Sequence, residues 1–188
     1  MFKMGRNIVY YGYHGTSLEK AQDILRSKRF IESENDGTVF QCLKTRAKHY
    51  HWLGRGVYFW DNDIEIARYW GKKRYKKRKF SVLGVPIECD KDRVLDLRQN
   101  LKRKSMEDLI NLMIIPYLDF DFNEYSTNEK NTFIGYVCDV LCERNMYDVC
   151  YNDFEIDSNQ DLLYTKVTPQ ICVKNKNVIK YDELELVD

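Results

Sequence analysis

Proline is scarce, with three residues in 188, and neither a Gly/Ser-rich stretch nor an internal repeat interrupts the chain. Nothing marks an internal boundary, and the usual ~100 to 200 residues per domain predict a single domain over residues 1–188. No run approaches the ~20 uninterrupted apolar residues that a membrane helix needs, and the opening MFKMGRNIVYYG lacks the apolar core of a signal peptide. A cytoplasmic protein is expected. The six cysteines (Cys42, Cys89, Cys138, Cys142, Cys150, Cys172) include no CxxC and no CxxH spacing, so zinc is not expected and no metal site is predicted. Cys138 and Cys142 fall at i, i+4 on one helix face and read as buried free thiols. A glycine-rich phosphate loop and a regular βαβ alternation are also missing, which argues against a doubly wound dinucleotide fold.

What is present suits a folded domain. Apolar residues make up 44% of the chain and charged residues 31%, enough for a sizeable core. The formal net charge of +1 conceals a strong asymmetry: residues 1–118 carry 24 basic and 14 acidic side chains, net +10, and residues 119–188 carry 6 basic and 15 acidic, net −9. Two readings follow. The halves complement each other electrostatically, or the basic half presents a surface to a polyanion. The densest basic segment holds Arg68, Lys72, Lys73, Arg74, Lys76, Lys77, Arg78 and Lys79, with Tyr69, Trp70, Tyr75 and Phe80 between them. It can pair with phosphates and offer rings for stacking, or form a solvated helix end.

Alternation of Val, Ile and Tyr predicts a strand over Ile8 to Tyr13, ending at Gly15. Thr16 with Glu19 three residues later forms a capping-box pattern, and Leu18, Ala21, Ile24 and Leu25 recur at helical spacing to about Ser27. Residues 32–50 read mostly as loop, with a short helix over Thr45 to Tyr50. The same strand-to-helix design recurs with a strand at Gly56 to Trp60 and a helix capped near Asn62 and Glu65. Phe80 to Cys89 is strand-like, with Pro86 favouring an edge or a bulge. Helices are predicted over Met106 to Leu118 and Asn128 to Glu143, and strands over Asp148 to Tyr151, Leu162 to Thr165 and Gln170 to Val173. The fold class expected is α+β.

Among the three histidines, His49 and His51 lie in a polar, aromatic segment suited to surface or packing roles. His14 differs: it ends a strand, Gly15 lets a ligand approach the backbone, and the Thr16 hydroxyl and a helix start follow directly.

The segment GYHGTSLEKAQDIL at 12–25 resembles the first strand and helix of the ADP-ribosyltransferases, especially the diphtheria-type toxins and the poly(ADP-ribose) polymerases. LGRGVYFWDNDIEIARYW at 53–70 is similar to their second block, in the right order and at a suitable distance. The close match covers about a fifth of the chain. The resemblance implies two packed, mainly antiparallel sheets with flanking helices. It implies NAD as substrate, with His14 bonding a ribose hydroxyl, the Gly15 backbone pairing with the nicotinamide amide, and Thr16 reaching the adenine-side ribose. Tyr58 and Tyr69 would sandwich the nicotinamide, with Ala67 lining the site; two aromatic faces favour a flat, positively charged ring. Ile66 stands where the polymerases often carry a serine.

The family's usual late-strand glutamate corresponds to Gln170 in QICVKN, which can bond a ribose but supplies no negative charge. Chain polymerisation is therefore not expected, and Glu155, Asp157 and Asp161 are alternative carboxylates. The function implied is mono-ADP-ribosyl transfer to a macromolecular acceptor, as in a bacterial or phage-related toxin or defence effector, which an inhibitory partner protein would suit. Nucleic acid is slightly favoured over protein, with Lys72, Lys73 and Arg74 as acceptor-binding residues. Hydrolysis of NAD and a non-catalytic NAD, ADP-ribose or nucleic-acid binding module are the alternatives.

Overall fold

A computed structural model of the chain describes residues 6–35, 37–38, 41, 51–76, 79–117, 124, 126–144, 146–156 and 166–187. Seven strands form its framework: β1 (Asn7–Ser17), β2 (Val57–Asp61), β3 (Phe80–Asp90), β4 (Val94–Asp96), β5 (Val149–Ile156), β6 (Lys166–Val173) and β7 (Glu185–Leu186). Four helices lie wholly within the described residues: α1 (Leu18–Ser27), α2 (Ile64–Tyr75), α3 (Asn100–Met113) and α4 (Thr127–Glu143). The expected α+β class holds at this level. The predicted helix at 45–50 and strand at 162–165 lie outside the described residues.

The strands hydrogen-bond in the order β4-β5-β6-β2-β1-β3-β7 as one sheet, antiparallel except for β4 against β5. This corrects the expectation of two packed sheets. The connection at the centre is nevertheless narrow. Strand β1 pairs with β3 along its whole length, from Asn7 opposite Asp90 to Ser17 opposite Phe80. With β2 its register pairs are Gly12 with Asp61 and Tyr13 with Trp60. Beyond Tyr13 the sheet is split, β1 and β3 continuing on one side while β2 stays with β6.

Each face of the sheet carries its own core, as period-two alternation requires. On the first face Tyr10, Val57, Phe59, Ile87, Tyr151 and Ile171 pack with Ala21 and Ile24 of α1 and with Phe30. On the second, Cys150, Phe154 and Cys172 pack with Met106 and Ile110 of α3 and with Phe133, Val137 and Cys138 of α4. Helix α2 covers the other end of the second face, chiefly against β1 and β3. Pro86 sits opposite Tyr11 in β3, where β7 pairs only at Leu83 and Gly84, so its missing N–H costs no ladder bond on the outer side.

Capping follows local chemistry with one-residue shifts. Strand β1 runs on through Thr16 to Ser17, so Ser17 rather than Thr16 caps α1, accepting from the Lys20 amide. Asp63 caps α2 through the Ile66 amide. Ser126 and Glu129 form a reciprocal capping box on α4. Among the described residues no helix is long and apolar enough to cross a membrane.

Candidate functional site

Three motif-bearing segments meet at the split. His14 and Gly15 are on β1, Tyr58 is on the neighbouring β2, and Gln170 is on β6 beyond it, in register with Trp60, which in turn faces Tyr13. Residues 14, 58 and 170 thus occupy three adjacent strands despite their separation in sequence.

His14 reaches into the gap between β1 and β2, its Nδ1 lying 2.8 Å from the Tyr58 main-chain oxygen. A carbonyl can only accept, so Nδ1 carries the proton and Nε2 presents a lone pair. Phe30 and Phe59 meet the ring edge-on at 5.3 and 5.8 Å between centroids. Burial pushes the imidazole pKa below its ordinary value, the Tyr58 carbonyl opposes this, and Arg74 and Lys20 reinforce it. The ring is held neutral, and among the described residues Nε2 has no hydrogen-bond partner.

Tyr58 points the other way. Its ring packs with the second core, its hydroxyl donates to the Gly54 carbonyl at 2.7 Å, and it accepts from the Leu53 amide at 3.0 Å. Burial, with Cys172 beside it, raises the phenol pKa well above normal. The His14 and Tyr58 rings leave the sheet on opposite faces, and what joins them is the Tyr58 carbonyl.

Gly15 explains how α2 comes so close. A Cβ at this position would stand 2.6 Å from the Ala67 carbonyl oxygen and 3.7 Å from the Gly71 Cα, so only glycine lets the helix backbone rest on the strand. Ala67 and Ile66 are buried in this contact. Thr16 is buried too, with Oγ1 3.5 Å from the Tyr75 hydroxyl. Tyr69, by contrast, is exposed on the flank of α2, edge-on to Trp70 at 5.7 Å. Lys72, Lys73 and Arg74 follow it, all exposed. Gln170 is half-buried, and among the described residues its amide has no side-chain hydrogen-bond partner. Asp157 and Asp161 lie outside the described residues, as does the Glu155 side chain.

Several groups were not singled out by the sequence. Trp60 of β2 and Trp70 of α2 stack with rings 4° from parallel and 6.1 Å apart, and the Lys73 ammonium lies 4.8 Å from the Trp70 ring centre. The Trp70 indole N–H is buried, with no acceptor among the described residues. Asp139 on α4 gathers the approach to β2. It accepts from the Arg55 amide, the Asn35 amide group and the Lys174 ammonium, and Lys174 also donates to the Leu53 and Arg55 carbonyls. Gly54, at φ +75°, permits this knot, since a Cβ there would stand 2.1 Å from Asp139 Oδ1. The ten-residue spacing of the tryptophans could have suggested the stack; the Asp139 cluster has no local signature.

Among the described residues no group of three or more His, Cys, Asp or Glu side chains is placed to hold a metal ion. Cys138, Cys142, Cys150 and Cys172 are free thiols, with Cys142 and Cys150 sulfurs 3.7 Å apart.

No family model matches the chain, and no solved structure matches it. An uncharacterized protein of Methanocaldococcus jannaschii is 26% identical over 106 residues, 54% of this chain and 43% of that protein. The match therefore spans less than half the length of this archaeal relative.

Proposed function

We propose that the domain is ADP-ribosyltransferase-like, working in a cytoplasmic setting, and that it binds NAD at the split between β1 and β2 and transfers ADP-ribose to a macromolecular acceptor. The observation that carries the reading is the meeting of the His14, Tyr58 and Gln170 segments on the adjacent strands β1, β2 and β6. Sequence order alone does not require that arrangement.

The neutral His14 offers Nε2 as an acceptor for a ribose hydroxyl, while its Nδ1–H is fixed on the Tyr58 carbonyl. Gly15 supplies backbone without a side chain, and the exposed Tyr69 supplies a ring face for the pyridinium. Tyr58 contributes its carbonyl alone, because its ring is packed in the second core on the face opposite His14 and its hydroxyl is taken by the 53–54 turn. Gln170, in register with Trp60, stands on the second face of the sheet, and among the described residues its amide has no side-chain hydrogen-bond partner. In the transfer, the bond from the anomeric carbon to the nicotinamide nitrogen breaks with its electron pair leaving on nicotinamide. A lone pair of the acceptor forms the new bond and the acceptor proton passes to solvent. Holding both reactants in line supplies much of the acceleration.

The test is incubation of the purified chain with NAD labelled in the adenylate moiety and a lysate separated into protein, RNA and DNA, beside a His14→Ala variant. Label in a macromolecular fraction, lost with His14→Ala, is the expected result. Nicotinamide release without labelled macromolecule would instead identify hydrolysis. NAD binding without release would identify a binding module, and no NAD binding would overturn the reading altogether.

A further inference from the structure

We infer that the basic end of α2, together with an open cleft beside the start of α1, binds a nucleic-acid strand. As the identity of the acceptor this rests on the transfer proposed above; as a binding surface it stands on observations of its own.

Lys72, Lys73 and Arg74 are exposed in the last turn of α2. The chain leaves through the exposed Lys76, at φ +46°, and Lys79 stands just before β3. Among the described residues none of these five cations forms an ion pair. Arg26, Arg55, Arg68, Arg93, Arg98, Lys174, Lys176 and Lys180 all do. The acid nearest in sequence, Glu65, is engaged by Arg68. Favourable interaction with the helix C-terminus accounts for cations in the last turn, but it does not reach Lys79. Like charges held together without counter-charges favour an anionic partner.

Tyr75 and Lys79 also line an open surface cleft of about 500 Å³ beside the start of α1. Ser17, Lys20 and Gln22 of the α1 side complete the polar lining, with Glu19 its single acid. A phosphodiester chain held by Lys72, Lys73 and Arg74 at the end of α2 would bring one nucleotide to this opening, which Tyr75 and Lys79 line. There Tyr75 offers a ring for a base, Gln22 both donates and accepts hydrogen bonds, and Lys20 and Lys79 receive phosphate. A lipid surface fits less well, because of the large exposed apolar side chains only Tyr69 belongs to α2.

The test is fluorescence anisotropy without NAD, using a fluorescein-labelled 15-nucleotide RNA, the DNA of the same sequence and its duplex, from 50 to 200 mM KCl. Poly-glutamate and phosphatidylglycerol vesicles serve as competitors. At least one oligonucleotide should bind. The triple variant Lys72→Gln/Lys73→Gln/Arg74→Gln should weaken it by about tenfold or more at 100 mM salt. It should also flatten the logarithmic salt dependence by about 2, at ~0.7 per lost single-strand phosphate contact. Tyr75→Ala should weaken binding several-fold or more and Tyr75→Phe restore it, as a stacked base requires, with circular dichroism confirming that each variant folds. Absence of oligonucleotide binding, an unaltered triple variant, or equal competition by poly-glutamate or vesicles would overturn the inference. Because NAD is left out, that failure is distinct from a failure of NAD binding.

Discussion

His14 Nδ1 and the main-chain oxygen of Tyr58 lie 2.8 Å apart across the gap where β1 and β2 stop pairing. The bond fills a place that a ladder hydrogen bond would otherwise take, and it fixes the tautomer of the only described histidine on a central strand. The imidazole therefore acts as a neutral acceptor at Nε2, and its acid form is disfavoured by burial and by the cations Arg74 and Lys20.

That depression makes stability depend on pH with a definite sign. Above the ordinary histidine value, His14 is neutral in both the folded and unfolded chain and contributes no slope. As pH falls below about 6.5 the unfolded chain takes up a proton that the folded ring refuses, so stability declines, at most by about 1.4 kcal/mol per pH unit. Thermal melts from pH 7.5 to 5 should show a steeper acid decline in the wild type than in His14→Gln. Identical profiles would show that the ring is not held neutral.

Gly15→Ala should destabilise the fold by about 1–3 kcal/mol, because the methyl group meets the Ala67 carbonyl and the α2 backbone must move outward. Urea unfolding measures this. A midpoint equal to that of the wild type would mean that helix and strand are less closely apposed than 2.6 Å implies.

Lys174→Met should cost more. The ammonium side chain is 9% exposed and its Asp139 partner 8%, and removing it takes the nearest cation from a buried carboxylate and one donor each from the Leu53 and Arg55 carbonyls. A loss of about 3–5 kcal/mol is expected from denaturant unfolding. A loss below about 1 kcal/mol would mean that water reaches Asp139 freely.

Gln170→Glu tests the chemistry of the proposed transfer. A carboxylate on β6 would stabilise positive charge developing at the anomeric carbon, and the rate of nicotinamide release should rise by about tenfold or more. The same variant should leave the affinity for NAD within a few-fold, separating a rate effect from a binding effect. No gain in rate would place residue 170 away from the reacting carbon.

Much of this architecture was legible locally. β1, β2, β3, β5 and β6 announce themselves through Val, Ile, Tyr and Phe at strand spacing, α1 and α2 through caps one position from those expected, and α4 through a span that begins one residue before the predicted Asn128. Short elements escaped notice: β4 has three residues and β7 two, too few to display a period. Helix α3 begins at Asn100, six residues before its predicted start, because Gln99 makes no side-chain cap and Leu101 to Ser105 show no apolar stripe. The single sheet in place of two was beyond local reading, since the β2–β6 and β1–β2 pairings join segments with no common signature. The positions of His14, Tyr58 and Gln170 in the chain were equally plain. The opposite facing of the first two rings was not, because it depends on the register between strands, and a one-residue slip would reverse it.

Pairing of β2 with β6 sets Val57 beside Val173 at the heart of the sheet. During synthesis at roughly 5–20 residues per second, the N-terminal strands emerge several seconds or more before their central neighbour exists. For that interval the unpaired side of β2 is a sticky template for other nascent chains. Production of this protein should thus be most vulnerable to aggregation on the ribosome, when translation stalls within its last third.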